Sequence, residues 1–318
     1  MSINITDPLF QDEEKARAFL EAQRWPDGPV CPFCSETKNV VRLGGDAAKK
    51  GLVLCRPCRK KFSVTVGTVM ERSHIPLTKW LMAFRLMSSS KKGISAHQMH
   101  RMMGVTYKTA WFLNHRIREA MGLPKDAGPI GGEGKTVESD ETFVGGKAKN
   151  VHNGKPVPKK RPVVALVERD GEIRAKHVAD VTAKSVREVL VTQVSRKSHL
   201  MTDDSLVYYW VGKEFSAHDS VNHSKDEYVR GKAHVNTAES YFALLKRGIT
   251  GSFHSVSEQH LQRYADEFAF RWNHREKAGF DDVARAISNL GQLILVLKAW
   301  DEEIERGLAT SPQKHPLP

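Results

Sequence analysis

The sequence predicts an α/β fold class: a mixed β-sheet with flanking helices, preceded by a small cysteine-rich ribbon and a helical module. Three observations predict it. Two CxxC pairs stand early, at Cys31/Cys34 and Cys55/Cys58. Helical periodicity runs through residues 77–88 and 95–121. Beyond a Gly/Pro-rich stretch, short strand-like runs interleave with helices. At 318 residues there is room for two or three modules. A composition of 40% hydrophobic and 27% charged residues is ordinary for a globular chain, which excludes disorder throughout. No apolar run approaches the roughly 20 residues of a spanning helix. The first 25 residues carry Asp7, Asp12, Glu13 and Glu14 and no apolar core, so they do not read as a secretory signal. Four cysteines are too few for a disulfide scaffold of this size, so an intracellular, reducing compartment is expected.

The formal charge of +12 is unevenly placed. From Cys31 to Ile130 the chain has 18 Lys and Arg against five Asp and Glu, a net of +13. The other 31 basic and 32 acidic residues nearly cancel. A localised basic surface is the footprint of a polyanion binder, and nucleic acid fits better than membrane.

The elements follow in order. Residues 12–25 read as a helix capped by Asp12 and ended by Pro26-Asp27-Gly28-Pro29, within an N-terminal segment 1–29. The ribbon spans 30–66, with strands at Val40–Leu43, Leu52–Leu54 and Lys61–Val66. A helical module spans 67–122, and residues 123–135 read as a linker. The α/β domain spans 136–280. Its strands are expected at 136–144, 162–169 and 172–179, the last two joined by a hairpin at Asp170-Gly171. A helix at 182–196, a strand at 199–203, a short helix near 206–211 and a strand near 214–219 follow, then helices at 236–247 and 256–275. Residues 145–161 form a basic loop. An amphipathic helix is expected within 281–308, and residues 309–318 are expected to be a disordered tail.

Each CxxC turn presents two thiolates on one side of a tight knuckle, and two such turns supply the four soft ligands of tetrahedral Zn²⁺. All four cysteines are used. Two disulfides would conflict with a reducing compartment. A redox CxxC would open a helix in a βαβ unit, which is not the pattern here. Four ligands close the site, so the zinc is structural. Lys49, Lys50, Arg59, Lys60 and Lys61 surround it and suit contact with a DNA backbone.

Residues 94–121 read as helix, tight turn, helix. Ser95 and Thr106 are the caps and Gly104 the turn. Ala110, Trp111, Leu113, Ile117 and Met121 are expected to pack inward. Tyr107, Lys108, Asn114, His115 and Arg118 are then left to face bases and phosphates. A plain αα-hairpin is the competing reading, and the local charge favours DNA.

Three acids stand out: Asp140 in a strand (VESDETFV), Asp203 ending another (SHLMTD) and Glu239 on a helix (NTAESYFALLKR). Each alone has a plain alternative, since Glu138, Glu141 and Asp204 lie beside them. The order of three strands, helix, strand, helix, strand, helix is that of ribonuclease-H-like folds, where such carboxylates converge. Clustered carboxylates repel unless a cation joins them. Two Mg²⁺ or Mn²⁺ ions roughly 4 Å apart need hard oxygen ligands and clamp an in-line phosphoryl displacement. Lys246 lies two helical turns beyond Glu239, on the same face, where it can contact phosphate.

The stretches SDETFVGGK, MTDDSLVYYWVGKEFSAHDSVNHSKDEYV and HVNTAESYFALLKRGITGSFHSVSEQHLQRYADEFAFRWNHR, with the preceding CPFC…CRPC ribbon, resemble one bacterial insertion-sequence transposase family. Its members join an N-terminal zinc ribbon to a DDE-type domain and are related to the Merlin superfamily. The resemblance runs from about residue 15 to about residue 295. It implies a ribonuclease-H-like domain, magnesium-dependent cleavage and transfer of DNA strands, and double-stranded DNA partners: the inverted-repeat ends of the element and a target. The family's two aspartates fall on Asp140 and Asp203. For the third member Asn236 competes with Glu239. Glu239 is preferred because a carboxylate holds Mg²⁺ better than an amide. His223 also lies in a family stretch, with a loop hydrogen bond as its plain alternative. The implied setting is the bacterial cytoplasm, at the nucleoid when DNA is bound, with a homo-oligomer as the active complex. Two other readings stand beside this one: a DNA-binding protein without catalysis, and a nuclease of the same fold without strand transfer.

Overall fold

A computed structural model describes residues 6–124, 127–146, 159–221, 234–275 and 278–279. Most of the basic loop at 145–161, His223, and the helix and tail expected beyond residue 280 lie outside the described residues. The described residues form two units, one of those up to 89 together with 99–120, the other of 90–98 and those from 121 onward. Among them, no helix is long and apolar enough to cross a membrane.

In the first unit a 3₁₀ turn, Pro8–Phe10, leads into α1 (Glu13–Arg24). Asp12 caps α1, its Oδ1 accepting the N–H groups of Glu14 and Lys15 at 2.9 and 3.2 Å. The ribbon follows as β1 (Val40–Arg42), a short helix α2 (Asp46–Lys49), β2 (Val53–Cys55) and β3 (Lys61–Phe62). Its sheet is antiparallel, with β2 central and Val40 opposite Cys55. The expected third strand stops four residues early, because Arg24 donates to the carbonyls of Val64 and Val66 at 2.7 and 2.6 Å. Burial lowers the pKa of that guanidinium to about 10, even with the Glu71 carboxylate nearby. Trp25 packs edge-on against Phe62, ring centroids 5.7 Å apart. Thus the first helix is fastened to the ribbon by apolar contact and by buried hydrogen bonds.

Glu13 also caps α3 (Leu77–Ser89), accepting the N–H groups of Leu77 and Thr78 at 2.8 and 3.3 Å. Trp80, Phe84 and Met87 are buried along α3. The next two helices are α4 (Ala96–Met103) and α5 (Tyr107–Ala120). Between them Gly104 takes φ +62°, and Thr106 Oγ1 accepts the N–H of Thr109 at 3.2 Å. The expected caps and turn are all in place.

The second unit holds β4 (Thr136–Val144), β5 (Arg161–Glu168), β6 (Ile173–His177), α6 (Ala183–Gln193), β7 (His199–Asp203), α7 (Leu206–Tyr209), β8 (Ala217–Val221), α8 (Asn236–Gly248) and α9 (Glu258–Asn273). The strand order is β6-β5-β4-β7-β8; β4, β5 and β6 form an antiparallel meander, while β7 and β8 run parallel to β4. This is a ribonuclease-H-like mixed sheet. The two faces sort by period two along the strands. Val144, Val163, Ala165 and Val167 pack with α8 and α9. Val137, Val164 and Leu166 pack with α6 and Tyr208 of α7. Buried on both sides, β5 reads as a continuous apolar run.

Ile130, within the stretch expected to be a linker, is buried and bridges to Val194. The N–H groups of Gly131 and Gly132 donate to Glu168 and to Ser198 Oγ at 2.9 and 2.8 Å. Gly131, at φ +84°, lies so close that a Cβ would sit 2.1 Å from Ser198 Oγ. The end of this stretch therefore belongs to the α/β unit, and glycine is there for close approach as well as for flexibility.

Candidate functional site

The ribbon brings its cysteines together. Sγ of Cys31 lies 3.6 Å from that of Cys58, and Cys34 stands at the same distance from Cys55. All four sulfurs lie within 4.8 Å of one another. A tetrahedron with Zn–S bonds of about 2.3 Å spaces its sulfurs roughly 3.8 Å apart, so the donor set fits zinc in number, type and spacing. Both knuckles close the same way: the residue after each second cysteine, Ser35 at φ +59° and Arg59 at φ +57°, turns left-handed. The backbone N–H of Lys60 is aimed at Cys58 and lowers its pKa to about 7, favouring the thiolate that a metal needs. Lys60 and Lys61 are exposed, and the Lys60 ammonium stands 4.4 Å above the half-exposed ring of Phe33.

On α5 the expected surface is only partly present. Tyr107 and Lys108 are exposed. Asn114 and Arg118 are each only 1% exposed, and His115 is buried too. Trp111, expected inside, is exposed and lies against the His115 ring. The amphipathic reading presumes one buried face, whereas nearly every side chain from Leu113 to Arg118 is enclosed. The outward set is therefore Tyr107, Lys108 and Trp111, at the N-terminal end of the helix.

The carboxylates are gathered by the sheet. Glu138 pairs with Met201, the last pair between β4 and β7, so Asp140 and Asp203 each stand two residues beyond the end of that ladder. Both lie on the face that α8 covers: Asp140 keeps step with Val144, which packs on α8, and Asp203 with Met201, which packs on Val235. Burial pushes Asp140 up to about 7, and the charges of Glu141, Asp203 and Glu239 add to the rise. Glu239 is exposed on the first turns of α8. Asn236, Glu239, Ala243 and Lys246 are all exposed and fall on one stripe of that helix. Among the described residues the cysteines are the one group of three or more whose ligand atoms all lie within 4.8 Å of one another; the carboxylates do not close to that distance. Acidic oxygens from three elements are nevertheless a donor set suited to hard divalent cations.

Two acids beside Asp140 have structural partners that spacing alone does not disclose. Glu138 is 0% exposed. It accepts Arg169 Nε at 2.8 Å, the N–H groups of Thr237 and Ala238 at 2.9 and 3.3 Å, and Thr237 Oγ1 at 3.1 Å. It thus caps α8, the helix that carries Asn236, Glu239 and Lys246. Glu141 points to the opposite face and accepts the buried Tyr208 hydroxyl at 2.6 Å. Burial raises its pKa, and that hydrogen bond partly opposes the rise. The available signal was the alternation itself, which puts Glu138 on the face of Asp140 and Glu141 on the other.

Two stretches of the chain match known families. Residues 11–61 match a transposase zinc-ribbon domain and residues 131–273 an ISXO2-like transposase domain. The first span contains all four cysteines, the second Asp140, Asp203, Asn236, Glu239 and Lys246. The chain is also similar to an uncharacterized protein in transposable element ISH50 of Halobacterium salinarum. The two are 27% identical over 280 residues, covering 82% of this chain and 91% of the relative.

Proposed function

Because the chain belongs to the insertion-sequence transposases that pair a zinc ribbon with an ISXO2-like domain, we propose that it binds the inverted-repeat ends of its own element and catalyses metal-dependent DNA strand cleavage and strand transfer. The observation that carries this reading is the half-buried Asp140, two residues past the last β4–β7 pair as Asp203 is, and close enough to Asp203 and Glu239 to feel their charge. Such a cluster is costly unless cations neutralise it.

In this reading Asp140, Asp203 and Glu239 hold two Mg²⁺ or Mn²⁺ ions. When bound, these supply charge neutralisation at the transferring phosphate and a water acidic enough to act as nucleophile. Asn236 stands one turn before Glu239, where its amide orients substrate. Lys246 contacts phosphate further along the same stripe. Glu138 holds the start of α8, and with it the third carboxylate. The freed 3′-hydroxyl of the element then attacks a target phosphodiester in the same centre, so no covalent protein–DNA bond is required.

The ribbon cysteines hold Zn²⁺ as a structural ion. Lys60, Lys61, Tyr107 and Lys108 contact DNA on the first unit; the burial of Asn114 and Arg118 gives them supporting roles within α5. Joining two ends requires at least two copies in the active complex. In a cleavage assay on duplex carrying the element's terminal repeats, Asp140→Asn is expected to abolish Mg²⁺-dependent nicking and leave end binding intact. Retained nicking would overturn the assignment.

A further inference from the structure

The run that follows Asp203 carries an exposed stripe which the reading above leaves unused. Leu206, Tyr209 and Trp210 are 84%, 54% and 70% exposed, and Lys213, in the 3₁₀ turn Val211–Glu214 that follows α7, joins them in one patch. The Lys213 ammonium stands 4.3 Å from the centroid of Tyr209 and 4.4 Å from that of Trp210. Among the described residues it has no carboxylate partner. The neighbouring acid, Glu214, is already engaged by Arg187 at 2.5 Å and Arg196 at 3.3 Å.

The run that bears the stripe is anchored from within. Tyr208, fully buried, donates to Glu141, and the N–H of Ser205 donates to Asp203 Oδ1 at 3.2 Å. Leu206 follows Asp203 by three residues, so their Cα atoms lie within about 11 Å. Large apolar side chains displayed in one patch mark a binding surface.

We propose that the Leu206–Lys213 stripe is a stacking platform for bases unpaired next to the scissile phosphate. This rests on the transposase reading and extends it to how the DNA end is held. Aromatic faces with a cation over them match a nucleic-acid strand, whose bases stack and whose phosphates are anionic. A second copy of the chain fits poorly. Around a two-fold axis the patch would meet itself and bring like charges, Lys213 and Lys213, toward one another.

The test uses the full-length protein and fluorescence anisotropy. The probes are a labelled oligothymidylate of roughly eight nucleotides, within the span of a single-strand site, an abasic strand of equal length, and a duplex. The wild type is expected to prefer the base-bearing strand. The double variant Tyr209→Ala/Trp210→Ala should lose about tenfold or more for that strand, as removal of stacking residues does. Its affinity for the abasic strand and the duplex should not change. Lys213→Gln, a second exposed change, should weaken both single strands and lower the salt slope by about one. Undiminished oligothymidylate binding by the double variant would overturn the proposal. So would dissociation of a wild-type dimer by that variant with strand binding intact, since the patch would then be a contact between copies. The readout needs neither metal nor cleavage. Trp210-dependent strand binding therefore upholds the platform even where a nicking assay goes against the catalytic reading.

Discussion

Asp140 is the residue where stability and function pull apart. Burial holds its pKa near 7, far above the ordinary 3.8, and the neighbouring carboxylates add to the shift. A carboxyl with a raised folded-state pKa binds its proton more tightly folded than unfolded. Its contribution to the metal-free protein is therefore fully present below about pH 4, is lost as pH rises toward 7, and stays lost above that. Replacing it by the neutral isostere removes the penalty. Asp140→Asn should raise the metal-free melting temperature at pH 8, by a stability gain on the order of 1–2 kcal/mol. The same variant should be inactive. A calorimetric scan showing destabilisation at pH 8 would contradict the account of Asp140 as a desolvated acid crowded by like charge. Deprotonation must also precede binding of a cation. Thermal stabilisation by Mn²⁺ should accordingly grow between pH 6 and pH 8 and weaken below pH 6; a pH-independent shift would place the metal elsewhere.

At the scale of elements, the cap on α8 carries the geometry of the site. Glu138 neutralises Arg169 and satisfies two N–H groups at the start of the helix. Glu138→Gln leaves the guanidinium less well compensated and the cap weaker. We expect a loss of about 2–3 kcal/mol in urea unfolding; a loss within experimental error would remove Glu138 as the anchor of α8. The ribbon depends on its ligands in the same way. Cys31→Ser, or chelation of zinc, should unfold residues 30–62 and weaken duplex binding, because ligand binding and folding are one process in so small a module. Unchanged duplex affinity after either treatment would exclude the ribbon from DNA contact.

Much of this was legible from spacing. The two CxxC pairs, the strand bearing Asp140, the strand ending at Asp203 and the helix bearing Glu239 each follow from local periodicity, and the sheet order then makes the acids converge. What was not legible depends on tertiary enclosure. Asn114 and Arg118 occupy positions that helical periodicity assigns to solvent, yet they are buried. Trp111 does the reverse. Arg24 shortens the third ribbon strand through a contact 40 residues away. Glu138 looks like a surface charge until α8 folds over it.

At the scale of the whole molecule, charge follows the division of labour. Residues 31–130 hold a net of +13 and the remainder is nearly neutral. The basic excess thus lies in the segment that carries the ribbon and α5, and the remainder balances its basic residues with acids. Binding of duplex DNA should weaken steeply with salt, the log–log slope falling by about one for each of Lys60→Gln and Lys108→Gln. Slopes unaltered by both changes would move the DNA surface away from this face.

The central claim is that three carboxylates, delivered by two parallel strands and the helix over them, transfer DNA strands. The most direct measurement incubates the protein with pre-cut duplex ends carrying the element's terminal repeats, a supercoiled plasmid target and Mg²⁺, and separates joined products on a gel. Joining by the wild type, abolished in Asp140→Asn, Asp203→Asn and Glu239→Gln alike, is the predicted result. Cleavage without joined product, or joining that survives any of the three substitutions, would contradict it.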